Sequence, residues 1–185
     1  MPIGPARMPL FDHLGELRRR VTIIVMSIII CAVVVYFATP TLIEIMMEQI
    51  SEAMRGGQLT VLTALGGFTI RFKVACFFAV IICTPIIIWE IMGFFLPALK
   101  PKERKWVVPT FAIAVFLFIF GTLFCYFIIL DPAFQWLTDQ AYGMSAQVLP
   151  QASSYLDIII KFEIGFGFAF ELPVIVFYLV IFDII

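Results

Sequence analysis

The chain has 185 residues, 63% of them apolar and 14% charged, with 21 phenylalanines and a formal charge of -1. A water-soluble core of this size has no use for so much apolar surface, so a soluble reading is excluded. The lack of a basic tail or Lys/Arg-rich face removes the footprint of nucleic-acid binding. The expected class is an all-α integral membrane protein.

The first predicted element lies near the N-terminus, where Leu10, Leu14, Leu17 and Val21 fall on one helical face. His13, Glu16 and Arg20 fall on the other, with Asp12 as the expected cap. Glu16 and Arg20 are four apart in the favourable order. Directly after Arg18, Arg19 and Arg20 come 23 uncharged residues, Val21 to Ile43. About 30 Å of hydrocarbon needs roughly 20 apolar helical residues, so a first span is predicted over 21–38, ended by Thr39 and Pro40. It exceeds the apolar core of a signal peptide and lacks a small-x-small cleavage site, so it reads as a retained span.

Leu42, Ile43, Met46, Met47, Ile50 and Met54 recur at helical spacing among Glu44, Glu48, Glu52 and Arg55, the pattern of an amphipathic helix on an interface, stopped by Gly56 and Gly57. Leu59 to Leu65 is short and β-tolerant, and Gly66 and Gly67 permit a tight turn. A second span is predicted over 73–95, bent at Pro85. The connector to Trp106 holds Pro97, Pro101, Lys100, Lys102, Arg104 and Lys105. The third span is predicted over 107–130, with Pro109 in its first turn and Asp131 and Pro132 closing it. Ala133 to Ser153 is charge-poor and carries Trp136 and Tyr142, with Tyr155 just beyond, rings suited to a headgroup boundary. A fourth span is predicted over 154–182.

Basic residues cluster before the first span and in the Lys100 to Lys105 connector, which places both in the cytoplasm by the positive-inside rule. Arg71 and Lys73 dissent at the other face, where snorkelling lets them reach headgroups. The four cysteines all lie in apolar runs and read as small hydrophobes. A single histidine leaves no His-cluster metal site and no Ser/His/Asp triad.

Three acids carry more information. Glu103 is the sole acid among four basic neighbours, and with Glu16 on the same face it offers two carboxylates able to take two guanidinium groups with forked hydrogen bonds. Glu171 follows Gly165 to Phe170 deep in the fourth span, where an ionisable group faces a cavity, a bundle interior or a partner. Pro173 frees the Ala169 carbonyl beside it. Glu90 is a second embedded acid. Counting about 1.5 Å per residue from the predicted span starts gives it a depth similar to that of Glu171, with Lys161 some 15 Å nearer the outside. Asp157 is the expected partner of Lys161, and Glu163 points elsewhere.

These residues resemble the TatC family, the receptor subunits of the twin-arginine protein translocase. The family's His-Leu-x-Glu-Leu-Arg-x-Arg pattern stands here as His13 to Arg20. A second signature stands as Gly93-Phe94-Phe95-Leu96-Pro97-Ala98-Leu99 followed by Glu103-Arg104, and a third as Ala169-Phe170-Glu171-Leu172-Pro173. The resemblance implies a six-span fold, of which four spans are present in one domain over 1–185, incomplete at its C-terminus, so that a fragment of a longer gene product is expected. It implies a cytoplasmic patch of Glu16 and Glu103, supported by Arg18 and Phe94, that binds the paired arginines of signal peptides on folded cargo. It makes Glu171 the intramembrane acid where the peptide or the single-span subunits TatA and TatB approach, and gives structural roles to Lys73, Pro85 and Pro97. Further copies of the chain and membrane lipid are the other implied partners. No enzyme activity, cofactor or metal is implied, and the location is the inner membrane, multi-pass, with the N-terminus in the cytoplasm. Glu90 departs from the glutamine common in the family. The rival reading, a proton-coupled secondary transporter of a small solute, takes Glu90 and Glu171 as a proton relay and the helices broken at Pro85 and Pro173 as the binding locus.

Overall fold

The computed structural model describes residues 10–53, 60–61, 63–96, 104–143 and 151–181. Six α-helices follow in order: α1 Leu10–Tyr36, α2 Thr39–Ala53, α3 Gly66–Phe95, α4 Val107–Phe124, α5 Leu130–Gly143 and α6 Ala152–Ile181. Among the described residues four helical stretches are long and apolar enough to cross a membrane: His13–Tyr36, Gly66–Phe95, Arg104–Gln140 and Ala152–Val180. Their antiparallel order puts the start of α1 and the end of α3 at one face, called the amino face below. The helices α2 and α5 lie at the opposite, cap face.

The helix α1 starts at Leu10, so Asp12 falls inside the first turn rather than at the cap position. It stops at Tyr36, where a two-residue turn is closed by Ala38 N–H donating to the Val35 carbonyl at 2.8 Å and by Thr39 Oγ1 donating to the Tyr36 carbonyl at 2.7 Å. Pro40 then occupies the first turn of α2, where its missing N–H has no intrahelical partner to lose.

Two boundaries differ from the sequence reading. Gly66 and Gly67 open α3 instead of forming a turn before it, so the helix starts seven residues ahead of Lys73. In lipid every backbone group needs an internal partner, which favours helix even through paired glycines. Likewise Asp131 and Pro132 do not interrupt the helix. The chain passes through a π-helical turn, Cys125–Ile129, straight into α5. The wider turn absorbs the N–H that Pro132 lacks, because the i→i−4 ladder is already broken there. The β-tolerant stretch contributes one bridge, Thr60 beside Gln151, with Ala152 N–H donating to the Thr60 carbonyl at 3.1 Å.

Packing is uneven along the bundle. At the cap face Met46, Val74, Phe77, Cys125, Leu130, Phe134, Leu156 and Ile159 form one buried cluster drawn from α2, α3, α5, α6 and the π turn. Tyr126 fixes α2 over it by donating from Oη to the Ile45 carbonyl at 2.9 Å. At the amino face, among the described residues, Met92 and Val107 form a small buried pair. The helix α1 lies along α3 and turns Ile29, Ile30, Val33 and Val34 outward, an arrangement that carries no penalty in lipid. The helices α4 and α6 approach closely at glycines: a Cβ on Gly121 would sit 2.9 Å from the Phe166 carbonyl, and one on Gly167 2.8 Å from the Phe118 ring.

Candidate functional site

At the amino face α1 and α3 share an ionic cluster. Arg20 donates through Nε and Nη2 to Glu16 Oε1, at 3.0 and 2.6 Å, and through Nη1 to Glu90 Oε2 at 2.9 Å. A longer bond of 3.4 Å from Nη1 reaches the Glu90 carbonyl. The guanidinium is thus held between two acids on different helices, and the three side chains keep 15–23% of their surface exposed. Gly93 makes room for it, since a Cβ there would run into Arg20 Nη1. One turn towards the end, His13 stacks on Phe94 with ring centroids 4.2 Å apart and planes 20° from parallel. Two signatures nearly eighty residues apart therefore meet face to face. Arg18 is exposed on α1. Glu103 and Pro97, predicted in the same region, lie outside the described residues.

Glu90 was expected at a depth similar to that of Glu171. From the level at which Lys73 pairs with Asp157, Glu90 lies 17 residues further along α3 and Glu171 14 further along α6. The difference is about 4.5 Å at 1.5 Å per residue, less than one helical turn. Glu90, the nearer of the two to the amino face, is in reach of Arg20. A detectable sign existed in the sequence: antiparallel spans must bring the ends of α1 and α3 together, and an acid near one end suits an arginine near the other.

Glu171 lines a hollow of about 290 Å³ between α3, α4 and α6, whose walls are almost wholly apolar and include Ile88, Met92, Ala114, Phe118 and Val174. Its Oε1 is buried and finds no hydrogen-bond partner among the described residues. Two other polar side chains share the lining, Thr84 and Tyr178, and the Thr84 hydroxyl donates to the Val80 carbonyl of its own helix at 3.0 Å. An unpaired carboxyl in apolar walls is costly unless something else satisfies it, so the hollow is suited to a helix that brings a donor. Pro173 lies within α6 two residues on, and Pro85 within α3.

A second ion pair spans the cap face, and it is not the expected one. Lys73 Nζ lies 2.7 and 2.8 Å from the two carboxylate oxygens of Asp157, joining α3 to α6. Lys161 is exposed one turn away. The i,i+4 option within α6 loses to the cross-helix one because Lys73 ends its climb at that level. Glu163, expected to point elsewhere, is 6% exposed. Among the described residues no group of three His, Cys, Asp or Glu converges as a metal site requires.

The family profile described as "Sec-independent protein translocase protein (TatC)" matches residues 12–185. The Sec-independent protein translocase protein TatC of Carboxydothermus hydrogenoformans is 30% identical over 178 residues, covering 96% of this chain and 72% of that one. The Escherichia coli K12 protein of the same description is 31% identical over 167 residues, covering 90% and 64%. A crystal structure of the twin arginine translocase receptor TatC superposes with a TM-score of 0.82 at 27% identity, over 90% of this chain and 74% of that one. The chain therefore spans about two thirds to three quarters of the length of these proteins.

Proposed function

Because the chain belongs to the TatC family, we propose that it is the receptor part of a twin-arginine translocase, and that Glu16 together with Glu103 receives the paired arginines of a signal peptide. The observation that carries this reading is the amino-face cluster. There Glu16, with one oxygen taken by Arg20, stands beside the His13–Phe94 stack. A carboxylate already oriented by one guanidinium binds a second without having to be ordered first. The basic residues around the first span and the 100–105 connector support a cytoplasmic amino face of an inner-membrane protein.

In the proposed sequence of events, docking at Glu16 and Glu103 delivers the apolar stretch of the peptide to the hollow at Glu171. There a polar residue of a TatA-like or TatB-like helix, or of a further copy of the chain, bonds the free oxygen. No covalent step is assigned to the chain. The transporter reading, which needs Glu90 free to relay protons, meets a Glu90 already engaged by Arg20.

The test is crosslinking of a twin-arginine peptide in membrane vesicles. Glu16→Ala and Glu103→Ala are expected each to weaken capture about tenfold, the scale for removing one partner of a charged pair, while Lys102→Ala has a much smaller effect. A matched Lys-Lys peptide is expected to bind worse than Arg-Arg, because an ammonium lacks the fork. Equal capture by all three variants would remove the assigned patch.

A further inference from the structure

We infer that Glu90 sets the strength of peptide capture by cancelling the charge of Arg20, so that Glu16 keeps a net negative charge for an incoming guanidinium. This rests on the reading of Glu16 given above and extends it to a residue on another helix.

Arg20 contacts both acids at once, with Nε and Nη2 on Glu16 and Nη1 on Glu90. Taken alone, the Glu16–Arg20 pair is neutral, and a neutral pair has little attraction for a cationic peptide. The cluster holds two carboxylates against one guanidinium, so one negative charge remains. Glu90 is the more enclosed acid, with 15% of its side chain exposed against 23% for Glu16. The excess charge is therefore presented at Glu16. Arg20 cannot easily leave to restore the balance, since it fills the notch over Gly93 and also bonds the Glu90 carbonyl. Arg18 and Arg19 are exposed at the aqueous rim, where salt screens them more strongly than the half-buried trio. Glu90 is thus a positioning residue that acts through Arg20 and need not touch the peptide.

Charge balance makes a prediction that a purely structural strut does not. Glu90→Gln keeps the shape and an acceptor for Arg20 Nη1 but leaves the trio neutral. Capture of the Arg-Arg peptide by the chain in vesicles is expected to fall about fivefold to tenfold at low ionic strength, the size of one elementary charge acting across a guanidinium in a partly hydrated site. The gap is expected to close as salt rises. Adding Arg20→Gln to Glu90→Gln returns the site to one negative charge, and the double variant is expected to bind more tightly than Glu90→Gln alone, while staying below the starting protein because Glu16 loses the guanidinium that orients it. Wild-type capture by Glu90→Gln, or a double variant as weak as the single, overturns the inference. Because the double variant has its own required outcome, the test survives poor folding of the single one. Glu16→Gln is run alongside: if it leaves capture intact, the premise about Glu16 falls and the inference with it. If it weakens capture while Glu90→Gln does not, the inference falls alone.

Discussion

Gly93 has no Cβ, and that absence admits the Arg20 guanidinium between Glu16 and Glu90. A methyl group there must push the guanidinium out, and its hydrogen bonds to two helices limit how far it can give. Gly93→Ala is therefore expected to destabilise the protein by about 1–3 kcal/mol, the usual range for overpacking. A lower melting temperature in detergent, with weakened peptide capture, checks this. Glu171 behaves in the opposite sense, because its buried Oε1 has no internal partner. Glu171→Leu removes an unsatisfied acid from apolar walls and is expected to raise thermal stability in detergent. It also removes the bond offered to a partner helix, worth about 1–2 kcal/mol in lipid, so co-purification with single-span subunits is expected to fall about tenfold. A residue whose replacement stabilises the fold and weakens assembly is one kept for binding.

Elements show where local signals mislead. The pair Asp131-Pro132 has the chemistry of a helix stop, and in water it would serve as one. Here the π turn at Cys125–Ile129 carries the chain past it, with Cys125 and Leu130 fully buried in the cap cluster. Tertiary burial overrides the local preference, and no periodicity announces a π turn. The paired glycines at the start of α3 misled for a related reason, since their turn propensity is a property of hydrated backbone. The four crossings were legible because length and hydropathy suffice to identify them. The α2 helix was legible because its apolar spacing matches the face that buries Met46. The approach of α4 and α6 was not legible, although it depends on two glycines. Gly121→Val sets a side chain against the Phe166 carbonyl and Phe170 Cβ, neither of which can move freely. A loss of about 2–3 kcal/mol is expected. Gly165 has nothing within 4 Å of its Cβ position, so Gly165→Ala is the control and is expected to be neutral or mildly stabilising. Unfolding of both variants in the same detergent separates close approach from helix propensity.

At the scale of the whole molecule, a tightly packed cap face stands opposite an amino face with a hollow. This division explains which parts of the site the sequence disclosed. Glu16, Phe94 and Glu171 stood out because each sits in a distinctive local pattern. The Arg20–Glu90 and Lys73–Asp157 pairs did not, because they depend on how far each helix extends and which ends meet. The Lys73–Asp157 pair is the clamp of the cap face: it joins α3 to α6 beside buried Val74 and Leu156 and one turn from Phe77. Its side chains are 36% and 37% exposed, so solvent screening limits its net worth to about 0.5–1 kcal/mol. Lys73→Met and Asp157→Asn are each expected to destabilise the fold by about that amount or slightly more, because each leaves one charge without its partner. The double variant is expected to lose less than the two singles together, with a coupling of about 0.5–1 kcal/mol in a double-mutant cycle of reversible unfolding. Strict additivity would show that the cap face is held by its apolar cluster alone. Peptide capture at the amino face is expected to be unchanged in all three variants, since roughly the thickness of the bilayer separates the clamp from Glu16.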